Sequence, residues 1–570
     1  MRQRSTFVVL FASLFLLGNA AATVRAADSA TGKFDLTLRK QTETAAGSGR
    51  FHTVHSPETW AANETAIIVC DMWDLHHCLN ATRRGAELAP RMDQVLKEAR
   101  QRGATIIHAP SSCMEAYAEH PARKRAQQTP RSLTLPVDIG KWCYQIPSEE
   151  RGAYPIDQSN GGEDDDPAEH AKWAKQLESM GRNPRAPWKS QTDLLTIDDR
   201  DYISDNGEEI WSILEQREID NVILLGVHTN MCVLGRPFGL RQMARNGKHV
   251  VLMRDMTDTM YDPTQKPFVS HFTGTDLIVS HIERWVCPTI TSDQLIGGRT
   301  FRFANDKRPR VLIVSAEDEY KTEETLPPFA LSHLGKEFAV SFAFGDANER
   351  NSIPGIEQLD EADVLLLSVR RRALPESQMA AVRRFIEAGK PVVGIRTANH
   401  SFSLRGKPAP EGTSLWEDFD AEVIGGNYSN HYGNGPKTMV TVADGAADHP
   451  ILEGVDVSEL VGNGSLYVVS PLAATARPLL FGKIPEKAAE PIAWTNRTKF
   501  GGSAFYTSLG HANDFCGTGI STASDERRPL GGEVERSRVV AVNSAGAIVR
   551  PMQRLGELRM RVSPNEWHTP

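Results

Sequence analysis

Short apolar segments that recur between stretches of helical spacing constrain the fold of this chain more than any other feature. Leu88, Met92 and Leu96 recur at helical spacing between two such segments, and Gly103 ends this predicted helix. A strand, a helix and a second strand joined by a crossover of this length indicate a parallel sheet. The predicted strands fall in two groups, at 66–70, 105–108, 222–227 and 250–253, and at 310–315, 363–368 and 391–395. We therefore predict two tandem α/β domains, each a doubly wound and mostly parallel sheet.

A chain of 570 residues is too long for one ordinary domain. The apolar pattern lapses near residues 296–309, between the two groups of predicted strands. The predicted organisation, in chain order, is a signal peptide (1–26), a flexible lead-in (27–56), a first domain (57–295), a linker (296–309), a second domain (310–516) and a divergent, poorly ordered tail (517–570).

The first 26 residues are typical of a secretory signal. Arg2 and Arg4 are basic, residues 7–17 are apolar, and small residues lead to a cleavage point before Ala27. No later apolar run reaches the length of about 18 residues that a transmembrane helix needs. We expect an exported, periplasmic or extracellular protein with no membrane contact after signal cleavage. The alternative is that the first segment stays attached as an uncleaved membrane anchor.

Composition excludes several classes of partner. With 64 basic and 72 acidic residues, the net charge of −8 offers no electrostatic footprint for nucleic acid. The seven cysteines include no CxxC pair, and an odd number leaves at least one thiol without an intramolecular partner.

The acidic run 163–166 is typical of a solvated loop. Adjacent residues rarely chelate one ion, so we expect no metal at His76, His77 and Cys78, and no cofactor elsewhere.

Asp71 and Cys232 form the first candidate site. Asp71 directly follows the predicted strand 66–70, and Cys232 lies five residues after the predicted strand 222–227. Ligands of open parallel sheets bind beyond the carboxyl ends of the strands. A helix amino terminus stabilises a thiolate, and a nearby carboxylate can take and return a proton. The pattern predicts a cysteine nucleophile with an acid/base partner, although a small buried cysteine is the commoner meaning of such a position.

The sequence around both residues resembles the isochorismatase-like cysteine hydrolases, over roughly residues 60–295. The resemblance rests on residues 66–73 and on Gly-Val-His-Thr-Asn-Met-Cys-Val at 226–233. It implies an Asp, a Lys and a Cys as catalytic residues, a thioester acyl-enzyme, and a cis peptide at Val227–His228. It also implies cleavage of a small amide or related C–N bond, because isochorismatase itself lacks the cysteine. The metal-binding Asp-x-His pair of the family's nicotinamidases is not matched here.

The resemblance implies a catalytic lysine near residues 196–200. This chain reads Thr-Ile-Asp-Asp-Arg there and has no lysine at these positions. Lys189 is the best candidate and Lys172 a poorer one. Arg200 can supply positive charge but cannot donate a proton at neutral pH. The residues expected to contact the substrate are Trp73, His228, Thr229 and Asn230.

Five short motifs of the second domain resemble the ThuA-like domains, which share the class I glutamine-amidotransferase fold and are linked to sugar metabolism. The motifs lie at 310–314, 363–367, 389–396, 448–451 and 510–514. The turn where amidotransferases carry their cysteine reads Arg-Thr-Ala-Asn-His at 396–400, which excludes that chemistry. We predict a second cleft at Thr397, His400 and His511. His431 and His449 either join this cleft, or all four histidines, including His400 and His511, are unrelated polar residues of loops.

Two functions remain from the sequence. The first is an exported cysteine hydrolase of a small-molecule substrate, with an accessory second domain that binds carbohydrate. The alternative is a non-catalytic protein that binds a small molecule or saccharide at a degenerate hydrolase site. The sequence leaves open whether the chain forms a homo-oligomer.

Overall fold

The computed structural model describes residues 32–515. The predicted signal peptide (1–26) and divergent tail (517–570) lie outside these residues. Within the described part of the chain, no helix combines the length and the apolar character needed to cross a bilayer.

The first sheet has eight strands in the order β2-β1-β8-β7-β6-β3-β4-β5. Strands β3 to β8 pair in parallel, and β1 and β2 add an antiparallel hairpin at one edge. The strands are β1 (Lys33–Glu43), β2 (Phe51–Ala61), β3 (Thr65–Cys70), β4 (Thr105–Ala109), β5 (Tyr202–Ile203), β6 (Asn221–Val227), β7 (His249–Asp258) and β8 (Thr289–Ile290).

The edge hairpin corrects the prediction of a flexible lead-in at 27–56. Phe34, Leu36 and Leu38 alternate with polar residues along β1, and all three side chains are buried. This period of two is the pattern of a strand with one face on the core. The pattern is short and lies in a segment that is polar overall, so composition hid it. Arg39 of β1 pairs with Thr289 of β8 and joins the hairpin to the sheet.

Helices cover both faces of the first sheet. Ile67 contributes to one apolar core and Ile68 to the other, because successive side chains of a strand point to opposite faces. Burial on both sides explains why the parallel strands read as continuous apolar runs. The helices are α1 (Leu79–Arg102), α2 (Pro121–Gln128), α3 (Pro167–Ser179), α4 (Gly207–Gln216), α5 (Leu240–Arg245), α6 (His271–Trp285) and α7 (Asp293–Ile296).

The second sheet has nine strands in the order β10-β9-β11-β13-β21-β20-β19-β16-β17. Its first five strands pair in parallel, and the remaining four continue the sheet in antiparallel fashion. The elements of this part are β9 (Arg310–Ala316), α8 (Thr322–Phe329), β10 (Ala339–Phe344), β11 (Val364–Val369), β12 (Leu374–Pro375), α9 (Glu376–Glu387), β13 (Val392–Ile395), β14 (Thr413–Ser414), β15 (Asn430–His431), β16 (Thr438–Val442), β17 (Val461–Gly462), β18 (Tyr467–Val468), β19 (Ala476–Lys483), β20 (Glu490–Arg497), β21 (Ser503–Thr507) and α10 (Ala512–Phe515).

Two apolar cores again lie on opposite faces of this sheet, with Ile313 in one and Leu312 in the other. The predicted fold class, two tandem α/β units with large and mostly parallel sheets, is confirmed. The segment between the two sheets is held in place, because the buried guanidinium of Arg308 pairs with Asp276 of α6 at 2.9 Å.

Candidate active site and second cleft

Asp71 sits at the carboxyl end of β3 in a conformation that directs its carboxylate inward. Its φ of 46° lies in the left-handed region, where the backbone turns sharply away from the strand. The side chain is fully buried, and Oδ1 accepts a hydrogen bond of 2.8 Å from the backbone N–H of Ser111, after β4. Oδ2 lies 3.0 Å from the guanidinium of Arg236.

The turn that carries Cys232 follows β6 directly. Gly226 has a φ of 109°, and a Cβ atom there would lie 2.0 Å from the carbonyl oxygen of Cys70 on β3. Only glycine lets the two strands approach this closely just before their functional ends. The peptide Val227–His228 is cis, as the family resemblance implies, and a π-helical turn then spans Thr229–Val233.

Cys232 is therefore brought to Asp71, and a third residue joins them. The Cys232 side chain is buried. The charges of the Asp71 carboxylate and the Arg236 guanidinium both shift the pKa of its thiol, in opposite directions. The backbone N–H of Arg236 donates to the Cys232 carbonyl at 3.0 Å, so the two residues lie one helical turn apart. The site combines a thiol, a buried carboxylate and a permanent positive charge at the carboxyl ends of neighbouring strands.

Sequence reasoning missed Arg236, although its spacing of four from Cys232 was a usable signal. The segment after the cysteine turn does not form one continuous helix, and α5 begins only at Leu240. Pro237 follows Arg236 and cannot continue the hydrogen-bonding pattern of a helix.

The resting thiol is not acidic, which corrects the expectation of a helix-stabilised thiolate. Burial raises the pKa of Cys232 well above its usual range, the Asp71 charge raises it further, and Arg236 only partly offsets both. Burial likewise raises the pKa of Asp71, against the opposing effect of Arg236. A buried sulfur beside a carboxylate holds its proton until that carboxylate accepts it.

The predicted catalytic lysine lies elsewhere. Lys189 is exposed, and its ammonium contacts the carbonyl oxygen of Gly181 at 3.5 Å. Lys172 is exposed, and Arg200 pairs with its neighbour Asp198 at the surface. The cation beside Asp71 is Arg236, supplied by the segment after the cysteine rather than by the segment before its strand.

Aromatic rings form one wall near the cysteine turn. Trp73 is partly buried, packs against the same apolar core as Cys232 and stacks on Trp188, with ring centres 4.5 Å apart. His228 meets His76 edge-on at 4.8 Å, and burial lowers the pKa of His228 to about 4. Burial also lowers the pKa of His76, so both imidazoles favour the neutral form at neutral pH.

Thr229 and Asn230 brace the cysteine turn. The Thr229 hydroxyl donates to the carbonyl of Asp258 at 2.9 Å, and the Asn230 amide donates to the carbonyl of Met260 at 2.8 Å. Both side chains are buried. These hydrogen bonds fix the turn to the segment at and beyond the end of β7, and the predicted substrate contacts of the two residues stay a prediction.

The acidic run 163–166 is not simply a solvated loop. Both oxygens of Asp165 accept backbone N–H groups at the start of α1, from Leu79 and Asn80, each at 2.7 Å. Asp164 pairs with Arg84 of α1 at 2.8 Å. In the described residues, Cys78, Asp164 and Asp165 also form the one group with metal-compatible spacing. Their existing contacts explain the group as the cap of α1.

The second predicted cleft lies at the carboxyl ends of the second sheet's parallel strands. The turn Arg396–His400 follows β13, and Arg396 takes a φ of 45° there. Thr397 is fully buried with an unpaired hydroxyl, whereas His400 lines a cavity together with His431. His511 packs on Tyr320 at 5.7 Å, one step further along the same edge.

A buried cation links these two groups of residues. The Arg396 guanidinium lies between the rings of Tyr320 and Tyr467, at 4.3 and 4.4 Å. Tyr467 in turn contacts His400 at 6.0 Å. His449 stands apart, because its ring caps the turn Pro450–Leu452.

Comparisons with solved structures returned neighbours of both kinds. A ThuA-like protein from Bacteroides uniformis is 16% identical, with 43% of this chain and 93% of that chain covered and a TM-score of 0.30. A cysteine hydrolase from Pseudomonas syringae pv. phaseolicola is 16% identical, with 42% and 92% covered and a TM-score of 0.25. An isochorismatase family protein from Desulfovibrio vulgaris is 12% identical, with 41% and 96% covered and a TM-score of 0.23.

A search of curated proteins found no match to the chain. The profile of the ThuA family, described as trehalose utilisation, matches residues 310–517, where the second sheet and its cleft are found. The chain therefore carries a ThuA domain at residues 310–517.

Proposed function

We propose that the first domain is a cysteine hydrolase that cleaves an amide or related C–N bond of a small molecule. The observation that carries the proposal is the meeting of Cys232 and the buried Asp71 carboxylate at the ends of adjacent strands. A carboxylate with a raised pKa is suited to take up and return a proton near neutral pH.

The proposed reaction begins when Asp71 accepts the thiol proton and the Cys232 sulfur attacks the carbonyl carbon. A C–S bond forms, and backbone N–H groups of the cysteine turn stabilise the oxyanion. The C–N bond then breaks as Asp71 returns its proton to the leaving nitrogen. Water, deprotonated by Asp71, attacks the thioester, and the C–S bond breaks to restore the thiol and release the acid.

Arg236 takes the position of a cation without acting as a proton donor. Its guanidinium stays charged at any accessible pH, so it orients Asp71 and favours the thiolate by charge alone. The presence of an arginine where the family resemblance implies a lysine also favours a second candidate function. In that case the protein is non-catalytic, retains the pocket and binds small molecules. The accessory ThuA domain is proposed to bind carbohydrate in either case.

The test is ammonia release from a panel of small primary amides and N-carbamoyl compounds, with intact-mass detection of an acyl-enzyme. Cys232→Ser and Asp71→Asn are expected to lower turnover by at least about a thousandfold. Cys287→Ser is the matched control, since Cys287 is another buried free thiol outside the site, and it should retain activity. Ligand-induced thermal stabilisation without product or acyl adduct would instead support the binding protein.

A further inference from the structure

A polar cavity of about 590 Å³ opens at the carboxyl edge of the second sheet. Arg371, two residues beyond β11, and His400, in the turn after β13, line it from the sheet side. Tyr428 and His431 line it from the segment that includes β15. This edge is where open α/β sheets bind their ligands. We call it the basic cavity.

The basic cavity carries two guanidinium groups, those of Arg371 and Arg405. Arg371 donates to the carbonyl of Ser403 at 3.3 Å, and its Nε atom is buried without a partner. Among the described residues, no carboxylate lies within ion-pairing distance of either side chain. A buried donor that lacks a partner is costly, so Arg371 favours a ligand that accepts hydrogen bonds.

His400 presents a hydrogen-bond acceptor to the same space. Its Nδ1 atom lies 2.9 Å from the Oδ1 atom of Asn399, an oxygen that only accepts. The proton therefore sits on Nδ1, and the lone pair of Nε2 remains available. Burial, aided by Arg371, lowers the pKa of His400 to about 2, so the ring stays neutral at physiological pH.

Asp420 adds a donor rather than a negative charge. It is buried in the wall of the cavity, and burial raises its pKa to about 8 despite the opposing effect of Arg371. Burial therefore favours the protonated, hydrogen-bond-donating form of this carboxyl group near neutral pH. The residues named so far give the basic cavity two positively charged guanidinium groups and no negative charge. Asp420 supplies a hydrogen-bond donor and His400 an acceptor, and Tyr428 supplies an aromatic ring.

We propose that the basic cavity binds a monosaccharide that carries a carboxylate or phosphate group. The anion contacts Arg371 and Arg405, because guanidinium groups match the geometry of both anions. Sugar hydroxyls donate to Nε2 of His400 and accept from Asp420, and the sugar ring lies against Tyr428. The inference rests on the proposed carbohydrate-binding role of this domain and is independent of hydrolysis at Cys232.

Calorimetric titration of the full chain tests this site with glucuronate and glucose 6-phosphate against glucose, trehalose and inorganic phosphate. The two anionic sugars are expected to bind at least about tenfold more tightly than the other three probes. Arg405→Gln, at an exposed position, is expected to weaken their binding about tenfold, and Arg371→Gln to weaken it further. Arg384→Gln, which removes an exposed guanidinium paired with Asp360, is the control and should bind like the unaltered protein.

Each other outcome overturns the inference in a distinguishable way. Equal binding of neutral and anionic sugars would reject an anionic ligand and leave the carbohydrate role standing. Binding of inorganic phosphate alone, or of no probe, would reject both. Anionic sugars that bind equally well to Arg405→Gln and to the unaltered protein would place their site elsewhere.

Discussion

At the scale of single residues, the environment of one thiol decides how the candidate active site works. Sequence reasoning placed Cys232 where a helix amino terminus would make it acidic. Packing reverses this, because burial and the neighbouring Asp71 raise the pKa of the thiol, while Arg236 opposes them. The three side chains are a coupled unit, in which the protonation of one depends on the others.

This coupling predicts opposite effects of two substitutions on the reactivity of Cys232. Asp71→Asn removes a negative charge that disfavours the thiolate, so iodoacetamide should modify Cys232 about tenfold faster at pH 9. Arg236→Gln removes a favourable charge and should slow modification. Peptide mass spectrometry resolves Cys232 from the other thiols, and Asp74→Asn, whose carboxylate pairs with Arg182, is the control. Identical rates in all four proteins would show that the charges do not reach the sulfur.

At the scale of elements, the sequence was sufficient to predict where the central strands end. Continuous apolar runs identified β3 and β6, so the sequence alone was enough to put Asp71 and Cys232 at one edge of a sheet. The contacts of irregular segments could not be predicted, because these segments have no periodic pattern of apolar residues. The acidic run before α3 acts through tertiary contacts that spacing alone does not reveal. The spacing of Arg236 places it one turn after Cys232, but it does not reveal the pairing of Arg236 with Asp71.

Asp165 is predicted to stabilise the first turn of α1 from outside the helix. Asp165→Ala removes an ionised acceptor from two backbone N–H groups and should lower the free energy of unfolding by about 2 kcal/mol. Urea unfolding at pH 7 measures this, and Asp165→Asn, which keeps one acceptor oxygen, should lose less.

The same contacts set the pH dependence of this contribution. Burial alone would raise the pKa of Asp165, but hydrogen bonds from Asn80, His170 and Leu79 outweigh it and lower the pKa below 3.8. Stability from a lowered pKa is present above 3.8 and is lost as the pH falls through the folded-state value. The difference between Asp165→Ala and the unaltered protein should therefore shrink in acid, and a constant difference would contradict the ionic cap.

At the scale of the whole molecule, the two sheets were foreseen and the parts that join them were not. The alternation of strands and helices predicted two α/β units, and a hairpin extends the first sheet where a loose segment was expected. The segment between the units contains Arg308, whose contacts with Thr273 and Asp276 of α6 are invisible to patterns read along the chain. Composition marks that segment as polar but does not show that it is anchored.

Anchoring predicts that the connection between the units resists proteolysis until Arg308 is changed. Arg308→Gln removes a buried guanidinium that pairs with Asp276 and Asp306, so chymotrypsin should cut after Phe301 or Phe303 about tenfold faster than in the unaltered protein. Arg299→Gln, at an exposed position in the same segment, should leave the rate unchanged. Equal cleavage of both variants would show that other contacts hold the connection.

The edge hairpin has a consequence for the order of synthesis. Its inner strand joins the first sheet beside Thr289, one of the last residues of that sheet to leave the ribosome. The hairpin therefore cannot dock on β8 until some 250 further residues have been translated after Arg39. A nascent chain halted before residue 289 would therefore expose the apolar face of the edge hairpin. Chaperones could bind this face until translation resumes.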